Sequence, residues 1–161
     1  MLGQQLVLYE EEYNKISVIC NQLTQAANAR VVFLVDKNGQ LIANAGDVAN
    51  LDTTSLASLT AGSIAATGGL AKLIGEDEFS VLFHEGARVN LHITLVADRV
   101  ILVVIFDKRT SLGLVRLRVK KAGEELDRIF ESISQRSGAA SSEGSPFSEI
   151  TDEDIDNLFN D

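Results

Sequence analysis

At 161 residues and 45% apolar, the chain can bury one sizeable core and leaves little room for two independent domains. Its formal charge of -9 is uneven: residues 137–161 carry seven acidic and no basic side chains, while residues 1–136 hold 16 acidic against 14 basic. A near-neutral body with an acidic tail has no basic stripe to meet phosphates, which argues against nucleic acid as a partner and favours a basic protein surface for the tail.

A lone cysteine, Cys20, excludes an internal disulfide framework, and the N-terminus lacks the basic, apolar, small-residue order of a secretory signal. The longest apolar run, Val100–Phe106, is far short of the roughly 20 residues that cross a bilayer. A cytoplasmic protein without membrane insertion is expected.

In chain order, residues 8–28 place Ile16, Ile19, Cys20, Leu23 and Ala27 at helical steps behind Glu10, Glu11 and Glu12, which predicts an amphipathic helix with an acidic first turn. Residues 31–35 form a β-branched apolar run. Asn38-Gly39 then leads into residues 40–44, a hairpin signature. Asp52 is placed to cap a helix over 52–74, with Leu51 and Leu56 spaced as a staple and Gly75 as the stop. Residues 79–83, 91–96 and 100–106 read as an antiparallel meander, whose last strand is apolar without alternation and so needs cover on both faces. A long helix follows from Ser111, with Leu112, Val115, Val119, Ala122, Leu126, Ile129 and Ile133 on one seam. Past Arg136 the seam stops. Residues 137–150 are then expected as a flexible linker, and residues 151–161 as a short acidic amphipathic helix with Ile155, Leu158 and Phe159 on one face. Such a short helix is marginal alone in water and gains stability by docking on something.

Chemistry-bearing constellations are missing from the pattern. His84 and His92 have no cysteine or carboxylate cluster at ligand spacing, so they read as strand histidines and no metal site is assigned. Cys20 belongs to an apolar helix face and reads as a structural thiol. The glycines near Lys72 do not match a phosphate loop, and no acid/base pair emerges. No catalytic residue and no cofactor are expected.

The helix over 52–74 breaks a local rule. Ala57, Ala61, Ala65 and Gly69 recur at steps of four, and Gly62, Gly68 and Gly69 should each cost a helix interior about 1 kcal/mol relative to alanine. Small residues either let the helix lie close on the sheet or leave a smooth face for another backbone. Leu56, Leu59, Ala66, Leu70 and Leu73 form a conventional stripe for the sheet, which turns the Ala/Gly stripe outward and favours docking.

The order helix, hairpin, helix, three-strand meander, helix resembles the roadblock or dynein-light-chain-like family. The resemblance rests on residues 32–41, 52–62, 68–76, 106–118 and 154–159. It implies a three-layer α-β-α fold over residues 1–136: a five-stranded antiparallel sheet with one helix on one face and two on the other, plus the short C-terminal helix. It further implies a homodimer, with sheets joined edge to edge and the two small-residue helices side by side, that regulates a Ras-like small GTPase. The regulator is not itself an enzyme. It stimulates GTP hydrolysis by rearranging the switch regions without an arginine finger, in the control of cell polarity and gliding motility. Ala61, Ala65, Gly68, Gly69 and Lys72 are the positions carried over as partner-binding. Ile155, Leu158 and Phe159 are the anchors of a docking helix linked to nucleotide exchange. Recruitment to a cell pole and contacts with other polarity proteins belong to the same implication. A scaffold that binds the GTPase without changing its turnover is the alternative. Arg99, Arg109, Arg116 and Arg118 fall away from the contact helix, as do Lys120 and Lys121, so none is expected as a finger; the cluster of Arg116, Arg118, Lys120 and Lys121 reads as a solvated face, with contact to the acidic tail or to another polarity protein as the alternative.

Overall fold

Val31, Val32, Phe33, Leu34 and Val35 are buried on both faces, as are Val100 through Val104, and these two strands lie side by side at the centre of a sheet. Their uninterrupted apolar runs demand that position, because an exposed face would waste half of each run. The computed structural model describes residues 8–143, with side chains through Arg136. The elements are α1 (Glu10–Ala26), β1 (Val31–Asp36), β2 (Leu41–Gly46), α2 (Thr53–Leu73), β3 (Val81–Glu85), β4 (Asn90–Val96), β5 (Val100–Phe106) and α3 (Leu112–Glu143). The five strands pair antiparallel in the order β2-β1-β5-β4-β3, which leaves β2 and β3 as edges.

Two cores follow from alternation along the strands. On one face Ile16, Cys20 and Leu23 of α1 and Val115, Val119, Leu126 and Ile133 of α3 cover Val32, Leu34, Leu102 and Val104. On the other, Ala57, Ala61 and Ile64 of α2 cover Val31, Phe33, Ile101 and Val103. The three-layer arrangement, one helix against two, is the one expected. α3 continues to Glu143, seven residues into the stretch read as linker; residues 137–143 contain one glycine and no proline, so nothing local stops a helix already formed. β3 starts at Val81, two residues later than the apolar run beginning at Phe79 suggested.

Two glycines are fixed by backbone geometry. Gly39 takes the positive φ of the β1–β2 turn, where Asp36 Oδ1 also accepts from the Asn38 N–H. Gly46 ends β2 at φ 92°, and a Cβ there would lie 2.3 Å from the Arg30 carbonyl oxygen. That carbonyl accepts from the Asp47 N–H at 3.0 Å, so the close approach is part of how the chain leaves the sheet.

Cys20 is fully buried and desolvation pushes its thiol up to about 12, which makes it an inert core residue rather than a nucleophile. Register separates the two histidines: His92 pairs with Phe83, and His84 pairs with Leu91, so they point to opposite faces and share no ligand set. His92 is 2% exposed, with Nδ1 3.2 Å from Thr94 Oγ1. Burial first and the nearby Arg116 charge second depress its pKa. A histidine depressed by folding binds fewer protons in the folded than in the unfolded state. Its contribution to stability is therefore whole above the unfolded value near about 6.5 and is lost as pH falls below that. We expect the thermal midpoint, followed by circular dichroism, to drop between pH 7 and pH 5.5, and to drop less in His92→Gln.

Candidate functional site

α2 begins where a carboxylate can cap it. Asp52 Oδ1 accepts from the Ser55 N–H at 3.1 Å, and Oδ2 accepts from Ser55 Oγ at 2.6 Å. These two hydrogen bonds, the side-chain one first, hold the Asp52 carboxyl below the usual carboxylate range. The helix ends in a Schellman arrangement: Glu76 N–H donates to the Ala71 carbonyl at 2.9 Å and Gly75 N–H to that of Lys72 at 3.3 Å, with Gly75 at φ 84°. A helix defined this sharply at both ends can hold a surface in place.

The division of faces expected from the sequence is corrected by the structure. Leu59, Leu70 and Leu73, assigned to the sheet, are 71%, 54% and 84% exposed, whereas Ala57 and Ala61 are buried against it. Alanines allow the helix to settle closer to β1 and β5 than leucines would. Apolar residues occur all round α2, so the pattern by itself could not select the inward side. Only Leu56 of the expected stripe packs against that core, as a partly buried neighbour. The small residues therefore divide: Ala57 and Ala61 serve the sheet, whereas Ala65 and Gly69 are exposed.

Those that remain are open. Ala65, Gly69 and Lys72 are exposed and Gly68 is half-buried. A Cβ added at Gly62, Gly68 or Gly69 would meet nothing within 4 Å. Nothing among the described residues requires glycine at these three positions, yet each weakens the helix. At 100° per residue, Ala61, Ala65, Gly68, Gly69 and Lys72 run along one flank of α2, while Leu59, Leu70 and Ile74 run along the other. Of the five carried over from the resemblance, Ala61 is the one its own sheet already covers, at 9% exposure.

The leucine flank was missed in the sequence because leucines in a helix are read as core by default. On the edge strand β3 Val81 is 47% exposed, and Leu82, Leu91 and Leu95 of the α2-side core are only partly buried. Exposed leucines along one flank of a helix and an unpaired strand edge are each surfaces that another chain can cover.

The basic residues lie elsewhere. Arg116, Arg118, Lys120 and Lys121 belong to α3, across the sheet from α2. Arg109 is engaged with Asp107, donating from both its backbone N–H and Nε to Oδ1 at 3.0 Å, and these bonds, the backbone one first, hold the Asp107 carboxyl low. Arg99 sits on the β4–β5 turn. Among the described residues no cluster of three or more His, Cys, Asp or Glu is placed to hold a metal ion, and no helix is long and apolar enough to cross a membrane. Ile155, Leu158 and Phe159 lie outside the described residues.

Known proteins share this arrangement. The family model described as Roadblock/LC7 domain matches residues 15–106. Among solved structures, Myxococcus xanthus MglB is 69% identical, with 80% of this chain and 96% of that chain covered at a TM-score of 0.76. The gliding protein MglB from Thermus thermophilus is 34% identical over 80% and 97% of the two chains, at 0.75. A structure described as MglB with tetrameric arrangement, also 34% identical, covers the same shares at 0.75. No curated protein matches the chain.

Proposed function

This chain belongs to the Roadblock/LC7 domain family, and from that premise we propose that it is a non-catalytic regulator of a Ras-like GTPase of the MglA kind, acting through α2 as a homodimer. The observation that carries the reading is that Gly62, Gly68 and Gly69 face open space in the protomer. A helix that carries three unexplained glycines gains from them only when another backbone comes close.

The two flanks of α2 divide the work. Leu59, Leu70 and Ile74 suit a second copy, because burying large apolar side chains is worth about 1.5–3 kcal/mol each. The smooth flank of Ala65, Gly68, Gly69 and Lys72 suits the switch surface of the GTPase. Relatives named MglB, one of them a gliding protein and one with a tetrameric arrangement, support the self-association and a role in gliding motility; control of polarity and recruitment to a cell pole are part of the same proposal.

Stimulation of hydrolysis on this reading works by shape. α2 contains no arginine, and its one cation, Lys72, sits in the last turn where it complements the helix C-terminus. An inserted arginine can raise phosphoryl transfer by 10³–10⁵-fold; here the contact helix supplies none and the GTPase's own residues must be repositioned. The C-terminal segment bearing Ile155, Leu158 and Phe159 is the part we assign to nucleotide exchange.

Single-turnover GTP hydrolysis by the cognate GTPase, with and without the full chain, is the test. We expect an acceleration that saturates with the concentration of dimer. Demonstrated binding alongside an unchanged rate would replace activation with the scaffold reading.

A further inference from the structure

α1 and α3 pack side by side on one face of the sheet and leave an open groove along their outer side. The two run antiparallel: the Glu12 carboxylate pairs with Arg136 at one end, where the Arg136 guanidinium also lies 3.8 Å over the Tyr9 ring, and Leu23 faces Ala122 at the other. Between these ends lies an open groove of about 580 Å³, floored by Val18, Ile19 and Ile129 and rimmed by Lys15 and Arg128. Val18 is 53% exposed at its centre, on a helix whose other apolar residues are largely buried.

We propose that residues 150–161 of the same chain dock in this groove. Three observations converge on that occupant. The first is shape and polarity: in a helix the spacing of Ile155, Leu158 and Phe159 would put them on one face, matching an apolar floor three side chains long. The second is charge. Residues 144–161 hold six acidic side chains and no basic one. The groove and the smaller hollow that adjoins it through Ile19 and Glu125 are rimmed by Lys15, Arg128, Arg118 and Lys121 against Glu11 and Glu125. Glu11 is already paired with Lys15 at 3.4 Å, on an exposed and therefore yielding pair.

The third is reach. α3 ends at Glu143, and the helix distance back from there to Arg128 is about 22 Å at 1.5 Å per residue. Residues 144–150 span up to about 25 Å when extended, so a helix starting near residue 151 falls level with Arg128 and Ile129. Tethering keeps the segment at an effective concentration on the order of millimolar, so weak intrinsic affinity suffices to keep it seated.

The site has a regulatory consequence, which rests on the function proposed above. The side chains assigned to the GTPase are the ones the groove holds, so the two contacts exclude each other and the tail is released only when the GTPase outcompetes a tethered site.

Paramagnetic broadening in the full chain, with no GTPase present, tests the docking alone, so its failure is distinguishable from failure of the GTPase reading. A nitroxide is attached at Asn157→Cys; Cys20, buried, stays unlabelled, and a Cys20→Ala version serves as the control. We expect amide signals of residues 15–19 and 125–129 to lose more than half their intensity, and to recover it in Leu158→Asp/Phe159→Asp. Arg128→Glu combined with Lys15→Glu should recover part of it. Unbroadened groove signals overturn the proposal, as does broadening centred on α2. Broadening seen only when labelled and isotope-enriched chains are mixed assigns the tail to a neighbouring copy, and likewise overturns it.

Discussion

Gly69→Arg is expected to abolish binding of the Ras-like GTPase while leaving a folded dimer, and Ala65→Arg should do the same. The argument starts inside the protomer. Position 69 is exposed and a Cβ there meets nothing within 4 Å, so the longer side chain has room. Arginine is also the better helix former by up to about 1 kcal/mol, so the thermal midpoint should stay level or rise. At a docked interface the same side chain holds two backbones apart and strands a charge without a partner, which costs about 3–5 kcal/mol, or more than a hundredfold in affinity. Gly69→Ala refines the picture. It stabilises the helix, and on a closely approached flank it still weakens docking. Titration calorimetry against the GTPase, with light scattering to confirm the dimer, reads all three; normal binding by either arginine variant would mean that this flank of α2 is not the docking surface.

A large effect on stability is expected at Gly46, far from any partner. Gly46→Ala has to accept a positive φ, at about 1–3 kcal/mol, and place its Cβ against the Arg30 carbonyl oxygen, which is backbone and cannot swing aside. Together these give a loss of about 2–5 kcal/mol and a fall in the thermal midpoint of roughly 4–20 °C. Neighbouring Asp47, exposed at the loop, should tolerate alanine within about 0.5 kcal/mol. Denaturant titration of the two variants side by side is the measurement, and equal midpoints would show that the turn relaxes more easily than its geometry implies.

What could be read from the residues was whatever one short-range rule decides. The runs at 31–35 and 100–106 carry no polar residue, so they could only be central strands, and Asp52 and Gly75 bracket α2 by their own hydrogen-bonding capacity. The orientation of α2 was not legible, because Leu59, Leu70 and Leu73 make as good a stripe as Ala57, Ala61 and Ile64. Choosing between them requires knowing how closely the helix approaches Phe33 and Val103, which is a property of the sheet and not of the helix. The partner flank inherits that difficulty. Residues 61, 65, 68, 69 and 72 come from family resemblance; only the protomer's own packing shows that 65, 68, 69 and 72 are open and that 61 is covered. The end of α3 was misplaced for a simpler reason, since serine and alanine neither start nor stop a helix decisively.

The strand order also bears on how the chain reaches its native state. The two most buried strands, β1 and β5, pair directly, with Asp36 opposite Val100 and Val31 opposite Ile105, although β2, α2 and the first two strands of the meander separate them in the chain. The β1–β2 hairpin can form early, but its inner strand gains its second neighbour only after the intervening loop closes, an entropic cost met before any contact rewards it. During synthesis this leaves Val31–Val35 without its central partner until residue 106 has left the ribosome. In that interval the half-sheet carries an apolar edge, which makes the nascent chain a client for whatever in the cell shields unpaired strands.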